Sequence, residues 1–125
     1  MKLFILVLLL HFIADFNLQI GAKLHDMKQK SWWKEQLKSV SAYEARNYRH
    51  DWICALFIHS FVWSVVTFLP LIFRVNTAGA VACVVVNTIV HAYIDNAKAN
   101  GRVLNLIEDQ VGHLIQIIVT VCAMY

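Results

Sequence analysis

The sequence predicts an all-α protein: a four-helix transmembrane bundle with a basic interfacial cytoplasmic loop between the first and second helices. Three observations predict it. Of the 125 residues 59% are hydrophobic and only 15% charged, whereas a soluble domain carries about 25% charged residues. The apolar residues gather in four segments, at about 3–20, 52–73, 75–94 and 103–124. The basic residues gather mainly in one loop between them, which is a membrane pattern and not that of a nucleic-acid surface.

Each segment is close to the roughly 20 residues that cross ~30 Å of hydrocarbon as a helix. Sheets are excluded, because every backbone group inside lipid must find a partner within its own segment or a closed barrel. A single integral membrane domain over 1–125 is therefore expected. The first segment has the basic Lys2 and apolar run of a signal peptide. His11 and Asp15 interrupt that run and no small-x-small site follows, so it is expected to remain as a helix. Cys54, Cys83 and Cys122 sit inside apolar stretches with no zinc-ribbon or C-x-x-C spacing, and read as small packing residues.

The loop at 21–51 holds Lys23, Lys28, Lys30, Lys34, Lys38, Arg46 and Arg49, and the loop after the third segment holds Lys98 and Arg102. The opposite side has only Lys2 and Arg74. The positive-inside rule makes the two basic loops cytoplasmic and puts both termini on the non-cytoplasmic side. Trp32, Trp33 and Tyr43 among the lysines suit either a segment lying in the interface or a solvated basic loop. His25 and His50 read as solvated or interfacial. Trp63 reads as an ordinary apolar residue, and Ala78, Gly79, Ala82 and Cys83 as the small-residue stripe of a close helix contact.

The ionisable residues within the spans carry the functional signal, since such groups are costly in a bilayer. His11, Asp15 and Gln19 fall at i, i+4 and i+8 on one face of the first helix. His59 lies in the second. Asn87, His91 and Asp95 repeat the spacing on the third, with Lys98 one turn on, and Asp109, Gln110 and His113 lie on the fourth. The helices alternate in direction, yet all these histidines and aspartates fall in the cytoplasmic half. Taken singly, each fits a hydrogen bond between helices. As a set at one depth they suit divalent metal: zinc, manganese or iron, as one or two ions. An ion would also supply the counter-charge that three buried aspartates need. Haem on two axial histidines fits an apolar slot better than one with three aspartates.

The expected ligand pool is His11, Asp15, His59, His91, Asp95, Asp109 and His113. Asp109 is the candidate general base. Gln19, Asn87 and Gln110 would orient ligands, and Lys98 would receive a substrate phosphate at the cytoplasmic mouth. The reaction expected is metal-dependent hydrolysis of a lipid or other phosphoester, with membrane lipid as the partner and no nucleic acid. No H-E-x-x-H or G-x-S-x-G motif supports a zincin or serine hydrolase. The alternatives are a non-enzymatic metal- or proton-binding carrier or sensor, and a small interaction protein whose basic loop binds a partner or anionic lipid.

The segments H-F-I-A-D-F-N-L-Q (His11 to Gln19), H-A-Y-I-D-N-A-K (His91 to Lys98) and D-Q-V-G-H (Asp109 to His113) resemble a group of small bacterial and phage membrane proteins, domain of unknown function 3307. The resemblance covers all four helices. His59 looks like the second histidine of a family H-x-x-x-H pair, whose earlier position is here Ala55. The resemblance implies a membrane location with four spans, in a bacterial inner membrane or a host inner membrane if phage-encoded. It implies no reaction.

Overall fold

The structure is a computed structural model that describes residues 2–17 and 23–124. Among these residues there are helices and turns and no strand. The first helix, α1 (Lys2–Phe12), continues into a π-helical turn over Ile13–Asn17. Three short helices follow in the basic loop: α2 (Leu24–Met27), α3 (Lys30–Gln36) and α4 (Ala42–Asn47). The remaining helices are α5 (Asp51–Ile72), α6 (Thr77–Ala99) and α7 (Leu106–Met124).

Three helices, those ending at Ile72, Ala99 and Met124, are long and apolar enough to cross a membrane. The described part of the first apolar segment ends at Asn17, and Leu18, Gln19 and Ile20 lie outside the described residues.

Two boundaries differ from the expected ones for local reasons. The third helix does not stop at Ile94 but runs on to Ala99. Its last turns are polar yet packed, and hydropathy alone ends the segment too early. The last helix starts at Leu106 and not at Val103. Asn105 Oδ1 accepts the N–H groups of Ile107 (2.9 Å) and Glu108 (3.0 Å), and Glu108 Oε2 accepts the Asn105 N–H at 2.8 Å. That reciprocal cap fixes the start. Between the two helices the chain turns at Gly101 and Arg102. A Cβ on Gly101 would stand 2.9 Å from the Ala97 carbonyl oxygen, so glycine is required there. Arg102 takes a left-handed φ of 54°.

Short links make α5, α6 and α7 antiparallel neighbours. α5 packs against both α1 and α6, α7 packs against α6, and α1 touches α7, which closes the bundle. Its inside and outside are those of a membrane protein. Phe57, Ile58 and Phe61 on α5, Val85, Val86 and Ile89 on α6, and Ile115, Ile118 and Val119 on α7 are exposed. His11, His59, Asn87, His91, Asp95, Asp109, His113 and Gln116 are buried. Water would penalise this arrangement on both counts, and lipid favours it.

The interior has two zones. Val7, Trp63, Phe68, Leu71, Cys83 and Ile117 form an apolar cluster toward the short-loop end. The ionisable groups occupy the end nearer the basic loop. Of the expected small-residue stripe, Cys83 packs in the apolar cluster. Ala78 and Ala82 are exposed, and Gly79, Ala82 and Cys83 line a groove of about 620 Å³ with Val119 and Met124. The three atoms nearest a Cβ built on Gly79 belong to Val75 and Asn76 of its own turn.

Candidate functional site

α5, α6 and α7 each turn a polar face inward at the same level. The i, i+4 spacing of His91 and Asp95 puts both on one face of α6, and the same spacing pairs Asp109 with His113 on α7. α5 brings His59 opposite them. The Asp95 carboxylate is the centre. His59 Nε2 lies 3.2 Å from its Oδ2, while His113 Nε2 and His91 Nε2 lie 3.3 Å and 3.7 Å from its Oδ1. The Nε2 atoms of His59 and His91 are 3.1 Å apart. All four residues are at most 3% exposed, so water screens none of these contacts.

Aromatic stacking sets the ring planes. The Trp63 indole stacks on His91 at 4.0 Å between centroids, and His91 stacks on His113 at 4.2 Å, each pair inclined by 22°. Trp63 also donates its Nε1–H to His11 Nδ1 at 3.0 Å. Trp63 therefore orients two histidines at once, which corrects its reading as an ordinary apolar residue. Hydropathy records Trp only as apolar and carries no sign of the indole N–H.

An indole nitrogen only donates, so His11 Nδ1 must accept. The His11 proton is then on Nε2, which lies 3.3 Å from Gln110 Oε1. The Gln110 amide nitrogen donates to Asp15 Oδ2 (2.8 Å) and to Asp109 Oδ2 (3.2 Å). Gln110 thus links three of the expected ligands, and His11 has both ring nitrogens occupied within the protein. The π-helical turn at Ile13–Asn17 carries Asp15 to this link.

The expected ligands therefore fall into groups. His91, Asp95 and His113 present ligand atoms within 4.8 Å of one another, and so do Asp15, His59 and His91. Asp109 stands beside them, with His113 Nε2 3.6 Å from its Oδ1 and the Lys98 ammonium 2.6 Å from its Oδ2. Asp109 Oδ1 is buried and accepts no hydrogen bond among the described residues. Asn87 lies farther along α6. Its Oδ1 accepts from Gln116 Nε2 and Thr120 Oγ1, both at 2.9 Å, so it joins α6 to α7 and touches none of the histidines through a hydrogen bond. Gln19 lies outside the described residues.

Lys28 is expected only as one of the basic residues of an interfacial or solvated loop. It is instead 5% exposed and pairs with Asp95. Lys28 and Lys98 supply counter-charges for two of the buried aspartates, so the electrostatic need for a metal is smaller than the sequence suggests. The loop also holds Trp33, whose Nε1 donates to the Met27 carbonyl at 2.7 Å and whose ring stacks on Tyr48. No spacing rule connects Lys28 to Asp95 across 67 residues.

A cavity of about 290 Å³ opens from Asp95 toward the loop, lined by His25, Lys28, Gln29, Ser31, Lys98 and Arg102. Partial desolvation, then the Lys28 charge, pushes the His25 imidazole below its ordinary value.

This is a helical membrane protein with an ionisable centre buried among its apolar helices. The chain belongs to the family described as Protein of unknown function (DUF3307), which matches residues 3–125. No curated protein and no solved structure matches it.

Proposed function

We propose that this protein is a membrane-embedded metal-dependent hydrolase acting on a phosphoester at the cytoplasmic face of a bacterial inner membrane. The observation that carries the reading is the convergence of three imidazole Nε2 atoms on one buried carboxylate. Ligands of a tetrahedral ion with bonds of ~2.0–2.1 Å lie about 3.3 Å apart. The His59–Asp95, His113–Asp95 and His59–His91 separations are 3.2, 3.3 and 3.1 Å. His91, Asp95 and His113 are one ligand set, which His59 adjoins through His91 and Asp95, and Asp15, His59 and His91 provide for a second ion. Zinc, manganese and iron all accept these donors.

In this reading α1 is the fourth span, both termini are non-cytoplasmic, and the basic loop lies at the cytoplasmic interface. A divalent ion, when bound, would supply an acidified water and polarise the phosphoester. Asp109 Oδ1 would accept the proton of the attacking water as its oxygen bonds to phosphorus and the ester P–O bond breaks, and would return that proton to the leaving alkoxide. Lys98 holds Asp109 in place from the cavity side and meets the phosphate there. Gln110 fixes the other face of Asp109.

Phosphate release from soluble and lipid phosphoesters, measured with purified protein loaded with each metal, tests this reading. Hydrolysis should fall at least about 100-fold in Asp109→Asn with metal retained, and with metal lost in Asp95→Asn. Metal-loaded protein that cleaves no phosphoester would leave the second reading, an ion-binding carrier or sensor. The polar contacts of Asn87, Gln116 and Thr120 beyond the centre favour that second reading.

A further inference from the structure

The Lys28 side chain is carried from the loop to the middle of the cluster, and its backbone is held on both sides. Asn100, at the end of α6, accepts the Lys30 N–H on Oδ1 at 2.8 Å. Asn100 Nδ2 donates to the Lys28 carbonyl at 3.1 Å and to Asn96 Oδ1 at 3.0 Å. Asp95 lies on the same helix, little more than a turn earlier. Helix α6 therefore fixes both the clamp and the carboxylate, and sets the distance between them. The Trp33 bond to the Met27 carbonyl holds the chain on the other side of Lys28.

We propose that Lys28 is a tethered cation that competes with a divalent ion for Asp95, so that the loop gates the centre. The proposal rests on the metal reading above. A lysine ammonium is a compact positive charge with three donors, and it meets Asp95 on the same oxygen that His59 approaches. With Lys28 in place the charge of Asp95 is neutralised. A divalent ion held by the same carboxylate and three neutral imidazoles would then face an ammonium across a few ångströms of dry interior, and the two repel strongly there. Ion entry requires the ammonium to leave. The cavity beside it, which Lys28 itself lines with Gln29, Ser31 and Arg102, has room for the withdrawn side chain. With the ion absent, the Lys28 ammonium is the counter-charge of Asp95.

The test is zinc affinity of the detergent-purified full chain, by competition with a chromophoric chelator, for wild type, Lys28→Met, Lys28→Arg and Asn100→Ala. Lys28→Met should bind zinc at least about tenfold more tightly, because it keeps the stem and removes the repelling charge. Asn100→Ala should shift the affinity the same way by a smaller factor, and Lys28→Arg should stay close to wild type. Zinc binding in Lys28→Met equal to or weaker than that of wild type would overturn the gate and leave the metal centre standing. Equal tightening in Lys28→Arg would also overturn it, because charge would then not be the cause. If Lys28→Met does not fold, Asn100→Ala decides, and an unchanged affinity there overturns the gate. Zinc bound by none of the four proteins would overturn the metal centre itself.

Discussion

His59 and His91 face each other across the α5–α6 contact with their Nε2 atoms 3.1 Å apart. In that geometry a shared proton joins the two nitrogens, one donating and the other accepting. A metal ion between them removes the need for the shared proton. Replacing either histidine with Gln keeps a polar group of similar reach but removes a good ligand. His59→Gln and His91→Gln should each weaken zinc binding by about 10–100-fold, the usual scale for loss of support at a metal site. Isothermal titration of the purified variants checks it.

Trp63 touches the cluster by stacking on His91 and by its hydrogen bond to His11. Trp63→Phe keeps a stacking ring and loses only the N–H. It should cost about 1 kcal/mol of stability, plus the penalty for leaving His11 Nδ1 without a donor, on the order of 1–3 kcal/mol. Trp63→Ala should cost about 3–5 kcal/mol, because the side chain is completely buried. Thermal unfolding in one detergent ranks the two, and the reverse order would contradict the packing described.

Gln110 donates to both Asp15 and Asp109. Gln110→Leu strips both carboxylates of that donor and His11 of its acceptor. Asp109 keeps Lys98, so the loss expected is about 1–3 kcal/mol, chiefly from His11 Nε2 losing its acceptor. Gln110→Glu sets a third carboxylate beside the other two and should be worse at neutral pH, recovering as the pH falls and the introduced carboxylate takes up a proton. Unfolding followed at pH 7 and pH 5 gives the sign.

The proposed topology makes its own prediction. Alkaline phosphatase fused after the last residue should be active, and a fluorescent protein there should be dark. A fusion in the loop between α3 and α4 should behave in the opposite way. Activity at both places would remove one of α5, α6 and α7 from the set of spans, since these three helices separate the two positions.

The sequence carried the long helices because hydropathy runs and basic loops are local signals. It carried much of the candidate site because i, i+4 pairs on one helix face are local too: His91 with Asp95, and Asp109 with His113. The partners that come from a distance were not legible. Lys28 reads as one more lysine in a basic loop until Asn100 is seen to hold its backbone. Trp63 reads as apolar until its indole N–H meets His11. The start of α7 was misplaced because the Asn105 cap is a hydrogen-bond signal inside an apolar stretch.

The central claim is that Asp95 and its three histidines hold a divalent ion. Elemental mass spectrometry of the detergent-purified protein, beside Asp95→Ala and His113→Ala, tests it most directly. The account predicts about one or two equivalents of zinc, manganese or iron in the wild type, lost in both variants while they remain folded. Folded wild-type protein that carries no metal, and takes up none when these ions are added, would contradict it and leave a hydrogen-bonded cluster neutralised by Lys28 and Lys98.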